Sequence, residues 1–361
     1  MESDLIVESH GLTSHAFLFE SEFANFSSRG SSSAENSFLD HQRAYLTILF
    51  HHAKARNCEF WLARSRSRGT ILARLGADIP ATRGNQGSIG FFDCESSDAG
   101  RSAALHLIRV ALDWLKHGGA QTVFGPMDFN SWFQYRFKIR ENGSGHDDAD
   151  LPWEPSASTE HREIFAASGF SDSIHFSSFF FALERTEDWD PYLARIRGQH
   201  HDLLSSGFTI RPFRTGAELR EDLVHIHSVS KKAFAQNPMY EDIPLDIFLR
   251  LTEASGNSSD TGASRLCLSP QGEAAGFLFA FVLDATMVYK TVAVIPEYQS
   301  LGISLALTYE MSLQCRKQNL LKCVGALVRS GNRSERLGQG FESFAKSSGV
   351  NNYVLMQKAI I

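Results

Sequence analysis

Along this chain, stretches with apolar residues at every second position alternate with stretches where they recur every three to four. That alternation predicts strands and helices in turn. Residues 1–40 carry no clear period, and the Ser-rich run 27–37 reads as a loop. Residues 40–55 have helical spacing, with Tyr45, Leu46, Leu49 and His52 on one side. Residues 60–64 and 70–75 alternate around Ser67-Arg68-Gly69 and predict a hairpin. A loop at 84–87, a strand at 89–94 and an amphipathic helix at 103–116 follow. The helix aligns Ala104, Leu105, Ile108, Leu112 and Leu115, and Gly118-Gly119 stops it. A strand at 122–124 ends at Gly125-Pro126. The long segment 129–158 is broken by Gly143, Gly145, Pro152 and Pro155, and contains Asp147, Asp148 and Asp150. Such a connection is mobile or functional. A short helix at 160–168 and a Phe-rich strand at 175–183 close the first half.

A helix at 191–204 ends at Ser205-Ser206-Gly207, and the domain boundary is placed there. Beyond it the pattern predicts a strand at 208–213 and helices at 216–236 and 245–254, the first with Leu219, Leu223, Ile226 and Val229 on one face. Strands follow at 265–268, 276–283, 289–295 and 322–328, with a helix after the third. An irregular helix at 332–347 and a last strand at 353–359 complete the order. Alternating strands and helices joined by crossover-length connections imply an α/β chain with a mixed sheet flanked by helices. The first half repeats part of this: residues 89–124 are again strand, loop, helix, strand, and Ala166-Ala167-Ser168-Gly169 before a Phe-rich strand echoes Lys346-Ser347-Ser348-Gly349 before Tyr353.

The chemistry concentrates in residues 287–314. A β-rich run breaks at Pro296, crosses Gln299-Ser300-Leu301-Gly302-Ile303-Ser304 and enters an amphipathic run. A strand feeding a glycine-bearing loop that opens a helix is a device for holding phosphate. The first helical turn has unpaired N–H groups and the positive end of the peptide dipoles, and glycine removes the Cβ where phosphate approaches. An ordinary strand-to-helix turn accounts for the same residues.

The string V-A-V-x-P-x-Y-Q-x-x-G-x-S resembles motif A of the GNAT superfamily of acyl-CoA N-acyltransferases, V-x-P-x-x-[QR]-x-x-G-x-[GA]. Val294, Pro296, Gln299 and Gly302 match, and Ser304 stands where Gly or Ala is usual. The resemblance implies two tandem GNAT-like domains: a degenerate one at 1–190, a linker helix at 191–207 and an acyltransferase domain at 208–361. It implies acetyl-CoA, or another acyl-CoA, as co-substrate, with no metal. In the fourth strand Ala293 and Val294 would polarise the thioester carbonyl, with Val292 beside them in the cofactor site. Gln299, Ser300, Leu301, Gly302, Ile303 and Ser304 would hold the diphosphate, and Asn332 and Ser334 would contact the pantetheine arm. For the acceptor side the candidates are Glu297, Glu241 and Tyr240, with Asp242 beside them. A solvated surface explains Glu297 better than a catalytic role, a solvated loop explains the others equally well, and a water chain can deprotonate the amine without a dedicated base. Arg333 and Arg336 could sit near the phosphates. The family's usual tyrosine general acid is missing, because 332–350 contains none and places Phe341 and Phe344 there. In the first half, Glu95 and Asp98 occupy the matching loop, where negative charge opposes a diphosphate. Asp98 alone reads as a helix cap.

Composition narrows the choice. A chain of 361 residues suggests two domains, and 43% hydrophobic residues supply sizeable cores. The net charge of −6 leaves no footprint for nucleic acid. No apolar run reaches the roughly 20 residues that span a bilayer, and residues 1–10 do not read as a signal peptide. Five cysteines without CxxC spacing read as reduced thiols, so a cytoplasmic location is expected. His51-His52 and His200-His201 lack partner ligands at metal spacing. The 28 Phe point to broad cores ahead of an acyl pocket. The expected partner is an amine acceptor, a small molecule or peptide, bound to a monomer or homodimer. The alternatives are a non-catalytic acyl-CoA-binding scaffold, and a transferase using an acyl-carrier protein or aminoacyl-tRNA donor.

Overall fold

The computed structural model describes residues 4–10, 17–26, 33–139, 154–155, 159–254, 262–332, 334–335 and 345–360. In chain order the elements are β1 (Leu5–His10), α1 (Phe17–Asn25), α2 (Ser33–Ala53), β2 (Cys58–Ser65), β3 (Ile71–Asp78), β4 (Gln86–Cys94), α3 (Asp98–His117), β5 (Thr122–Gly125), β6 (Phe137–Ile139), α4 (Thr159–Ala167) and β7 (Ser171–Ala182). They continue with α5 (Trp189–Ser205), β8 (Thr209–Pro212), α6 (Leu219–Phe234), α7 (Leu245–Ala254), β9 (Arg265–Leu268), β10 (Ala274–Leu283), β11 (Thr286–Val294), α8 (Ile303–Lys317), β12 (Lys322–Arg329) and β13 (Lys346–Ala359). The aperiodic start thus contains β1 and α1. Most of the helix expected at 332–347 falls outside the described residues, but Lys346 and Ser347 belong to strand β13.

The chain forms two compact units that are not contiguous in sequence. One comprises Met1–His175, Arg250–Ser255 and Tyr353–Ile361, the other Phe176–Leu249 and Gly256–Asn352. The expected division at 190/208 put the last strand with the second half. Instead, residues 353–359 of β13 pair antiparallel with β5, Met356 opposite Gly125 and Ala359 opposite Thr122, in the N-terminal unit. Conversely β7, from the end of the first half, pairs antiparallel with β12 of the C-terminal unit, Phe181 opposite Cys323. Each unit therefore takes its sixth strand from the end of the other half of the sequence. The order is β1-β2-β3-β4-β5-β13 in one and β8-β9-β10-β11-β12-β7 in the other. In both, the fourth and fifth strands pair parallel, with a helix between them.

In the C-terminal unit helices cover both sheet faces. Trp189, Tyr192, Leu193 and Ile196 of α5 pack with Ala306, Leu307 and Met311 of α8 in one core. Leu223, Ile226 and Val229 of α6 pack with Leu266, Phe277 and Ala293 in another. The helix expected as a linker is thus a core element. In the N-terminal unit Ala104, Leu107, Ile108, Ala111 and Leu115 of α3 pack on β2–β5, with Val354 and Met356 of β13 in the same core. Much of the Phe excess lies in this unit: Phe23, Phe50, Phe60, Phe91 and Phe129 are buried in mutual ring contact.

A carboxylate clasp fastens β8 to α6. Asp222, fully buried, accepts from Arg211 Nη2 at 2.6 Å, Arg214 Nε at 2.9 Å and the Arg214 backbone N–H at 2.7 Å. Burial alone would raise the carboxyl, but the hydrogen bonds from Arg211 and Arg214 win and hold it far below the usual carboxylate range. A depressed folded pKa contributes stability above the unfolded value of about 3.9, lost as pH falls below it. Asp222→Ala should therefore destabilise this unit by about 3 kcal/mol at neutral pH, since it strands two half-buried arginines. Thermal melts across pH should show the wild-type and variant curves converging as the medium turns acid.

Candidate functional site

Strand β11 is built from Val, Tyr and Thr, which suit a pleated surface packed on both sides. Its pairing with β10 runs Ala280↔Tyr289 and then Phe279↔Thr291, so Lys290 is an extra residue, a β-bulge. The bulge switches parity. Met287 and Tyr289 face the α5/α8 core, as do Val292 and Val294 beyond it, while Ala293 and Ile295 face α6.

The parallel pairing of β11 with β12 ends at Tyr289↔Gly325. Beyond that point the two strands part. The Ile295 N–H donates to Ala275 of β10 at 3.0 Å. Strand alternation then points the Ala293 N–H at β10 and the Val292 and Val294 N–H groups into the opening. The Val294 carbonyl points the same way and accepts from Gln299 Nε2 at 3.3 Å. Two backbone donors, those of Val292 and Val294, thus face the gap. Of the two residues to which the resemblance gave the polarising role, Val294 faces the gap and Ala293 turns to β10.

The loop continues from that edge. Pro296–Tyr298 makes a single 3-10 turn, then Ser300 and Gly302 both take positive φ, 81° and 79°. A Cβ on Gly302 would lie 3.5 Å from Gln199 Cβ of α5, an ordinary contact. Glycine is required here by the backbone conformation, not by crowding. Gly302 is the N-cap and offers no side-chain acceptor. The first intrahelical bond runs from Ala306 N–H to Gly302 C=O at 2.9 Å, so the Ile303, Ser304 and Leu305 N–H groups have no acceptor within the helix. Ile303 is buried in the core and Ser304 is half-buried, while Gln299, Ser300 and Leu301 are exposed. Residues 296–304 include no lysine or arginine, so anion binding here rests on backbone donors and the helix dipole. Gln199 was not found by sequence reasoning, because α5 was read as a linker.

The acceptor-side candidates separate. Glu297 is exposed in the 3-10 turn. Glu241 is buried at 7% exposure, between α6 and α7. The Tyr240 hydroxyl donates to Asp242 at 2.8 Å, and Lys231 pairs with the same carboxylate at 2.9 Å. Burial opposes ionisation of Asp242, but the hydrogen bonds from Lys231 and Tyr240 hold it below the usual carboxylate range. Tyr240 is thus committed to its neighbour rather than presented as a bare base. Asn332 lies in the turn after β12, its N–H on Arg329 C=O at 3.1 Å and its carbonyl accepting from Glu335. Ser334 is half-buried in the same turn. Arg333, Arg336, Phe341, Phe344 and the acidic run 147–150 lie outside the described residues. Of the tyrosines near the opening, Tyr289 shares a hydroxyl contact with Thr308 at 3.2 Å, and burial drives its pKa upward. The five cysteines are buried and unbridged. Among the described residues no His, Cys, Asp or Glu side chains gather to hold a metal, and no helix is long and apolar enough to cross a membrane.

The matching place in the N-terminal unit is built differently. Only Glu95, Ser96 and Ser97 separate β4 from α3. Ser97, not the expected Asp98, is the cap: its Oγ accepts from Gly100 N–H at 3.1 Å, and Asp98 is the first helical residue. A Cβ on Gly100 would lie 2.0 Å from the Glu95 carbonyl oxygen. The loop is folded onto its own helix start and leaves no cradle.

No family model matches the chain, and no curated protein matches its sequence. Solved structures do. A probable N-acyltransferase of Enterococcus faecalis V583, described as a conserved protein of unknown function, is 9% identical with a TM-score of 0.56 over 99% of this chain and 73% of that one. A GCN5-related N-acetyltransferase from Kribbella flavida is 11% identical with a TM-score of 0.53, over 99% and 72%. The glucosamine N-acetyltransferase region of a fungal multi-domain GH3 β-N-acetylglucosaminidase is 11% identical with a TM-score of 0.51. The match takes in 98% of this chain but spans only 38% of the fungal one. At these identities the likeness speaks for the fold. Together with the matching strand order of the two units, it identifies this chain as a tandem repeat of the GNAT fold.

Proposed function

We propose that the C-terminal unit is an acyl-CoA-dependent N-acyltransferase, transferring an acetyl group to a primary amine of a small molecule or peptide. The observation that carries this is the continuity of donors. The Val292 and Val294 N–H groups at the open β11 edge lead through Ser300 and Gly302 to the uncapped N–H groups of Ile303 and Ser304. Bound acyl-CoA supplies the thioester and the leaving thiolate. The chain supplies backbone donors aimed at a carbonyl oxygen as negative charge builds there, in an arrangement that needs no reorganisation. It also supplies a helix start for the diphosphate and the acidic Tyr240–Asp242 turn for a cationic amine. Glu241 or Glu297 takes the amine proton, directly or through water. No metal takes part in this reading, and a cytoplasmic protein, monomer or homodimer, fits it. The test is release of free thiol from acetyl-CoA in the presence of an amine mixture, with one CoA bound per chain by calorimetry. Glu241→Gln should lower turnover at least tenfold with CoA affinity unchanged; equal turnover removes Glu241 as the base.

A non-catalytic acyl-CoA-binding protein is the second reading. It is favoured by the lack of a tyrosine in 332–350 and by the Tyr289 hydroxyl being engaged with Thr308. CoA binding without amine-dependent thiol release would select it.

A further inference from the structure

The opening between the fourth and fifth strands recurs in the N-terminal unit, and there it is filled. The parallel pairing of β4 with β5 ends at Ser88↔Phe124. Past that point the chain leaving β5 stays against β4. The Met127 N–H donates to Ile89 C=O at 2.8 Å, and the Phe91 N–H donates to Asp128 Oδ1 at 2.5 Å. The approach is so close that a Cβ on Gly90 would lie 2.2 Å from the Met127 carbonyl oxygen and 2.6 Å from the Asp128 nitrogen. Met127, Phe129 and Asn130 are essentially fully buried, and Asp128 is 7% exposed.

The segment is held from several elements. Asp128 Oδ2 accepts from the Tyr45 hydroxyl of α2 at 3.0 Å, and that hydroxyl accepts from Gln134 N–H at 2.8 Å. Arg83 Nη2 donates to Phe129 C=O at 2.7 Å. The Phe129 ring packs on Phe91, centroids 4.9 Å apart, and Arg56 lies over it at 4.7 Å. Phe91 and Phe129 hold φ of 55° and 67°, a conformation bulky residues rarely adopt and one the surrounding contacts must enforce.

We propose that the N-terminal unit carries its own permanent ligand: Met127–Phe129 occupies the β4–β5 opening, and the Asp128 carboxylate takes the strand N–H that a ligand carbonyl would otherwise take. The unit is a self-sealed copy closed to acyl-CoA. This rests on the reading of the two openings as equivalent, but not on whether the C-terminal unit transfers acyl groups. The charged and titratable groups facing Asp128 are Tyr45 from α2 and Arg74 from β3. Burial pushes the carboxyl up to about 6, against the Phe91 and Tyr45 hydrogen bonds and the Arg74 charge. Because the folded pKa is raised, this group's stabilising contribution is complete below the unfolded value and lost as pH rises through about 6.

The test is backbone amide exchange across residues 86–94 of the full chain, followed by mass spectrometry with and without CoA. Asp128→Ala leaves a buried N–H without its acceptor and should speed exchange about 10- to 100-fold. Asp128→Asn keeps an oxygen acceptor and should stay near wild type, while abolishing the loss of thermal stability between about pH 4 and pH 6. CoA should leave exchange in 86–94 unchanged. Protection of that strand by CoA, an unaltered rate in Asp128→Ala, or the same pH slope in Asp128→Asn would each overturn the proposal. If Asp128→Ala does not fold, the Asp128→Asn slope and the CoA arm still decide it.

Discussion

Gly302→Glu should abolish CoA binding at the C-terminal site, with affinity falling at least 100-fold by calorimetry. Two effects add. A carboxylate would stand at a helix start whose unpaired Ile303, Ser304 and Leu305 N–H groups favour anions from outside. Any L-residue at φ 79° is also strained, by about 1–2 kcal/mol. Gly302→Ala separates the two, since a Cβ meets Gln199 only at ordinary contact distance. The alanine variant should melt slightly lower yet bind CoA within about 30-fold of wild type, because a strain of this size is worth at most about one and a half decades if confined to the loop. A folded Gly302→Glu protein with wild-type affinity would show that the phosphates do not bind here.

An isolated 208–361 fragment should fail to fold cooperatively, whereas 176–352 should give a cooperative transition. The shorter piece lacks β7, leaving the β12 edge unpaired along Phe176–Ala182. It also lacks α5, and with it the buried Trp189, Tyr192, Leu193, Ile196 and Leu203. Each such side chain contributes about 1.5–3 kcal/mol when buried, and together they match or exceed the roughly 5–15 kcal/mol that keeps a whole domain folded. The fragment would carry Tyr353, Val354, Leu355 and Met356, buried in the full chain, without β5 to pair with. Calorimetry and circular dichroism would check both pieces. A sharp transition and wild-type CoA affinity in 208–361 would show that the exchanged strand is dispensable.

The two units show how one scaffold supports opposite outcomes at the same place. In both, the fourth strand bulges, parts from the fifth and hands over to a helix. In the C-terminal unit residues 295–302 lie between strand and helix, and two positive-φ residues present an uncapped helix start. In the N-terminal unit three residues make that passage, Ser97 caps the helix, and the chain after β5 fills the gap. The two openings differ because the loops differ; the strand order does not.

What the sequence alone determined is local. The strand-to-helix passage from Val292 to Ser304 was legible because its signals lie in consecutive residues: β-branched strand, Pro break, glycine-bearing loop, helix start. Helix α3 was legible from the spacing of Ala104, Ile108 and Leu115, and the β2–β3 hairpin from its alternation around Gly69. Tertiary structure decided which strand joins which sheet. Segments 175–183 and 353–359 are both short apolar strands, and a strand's pattern records which face is buried, not whose edge it meets. Their exchange therefore left no mark along the chain. The same holds for Asp128, which follows a Gly-Pro-Met break and reads as a loop residue. It became a buried ligand of the Phe91 N–H only because Tyr45, Arg74 and β4, far apart in sequence, converge on it in the folded unit. Burying a carboxylate costs several kcal/mol unless partners receive it, and only the fold supplies them.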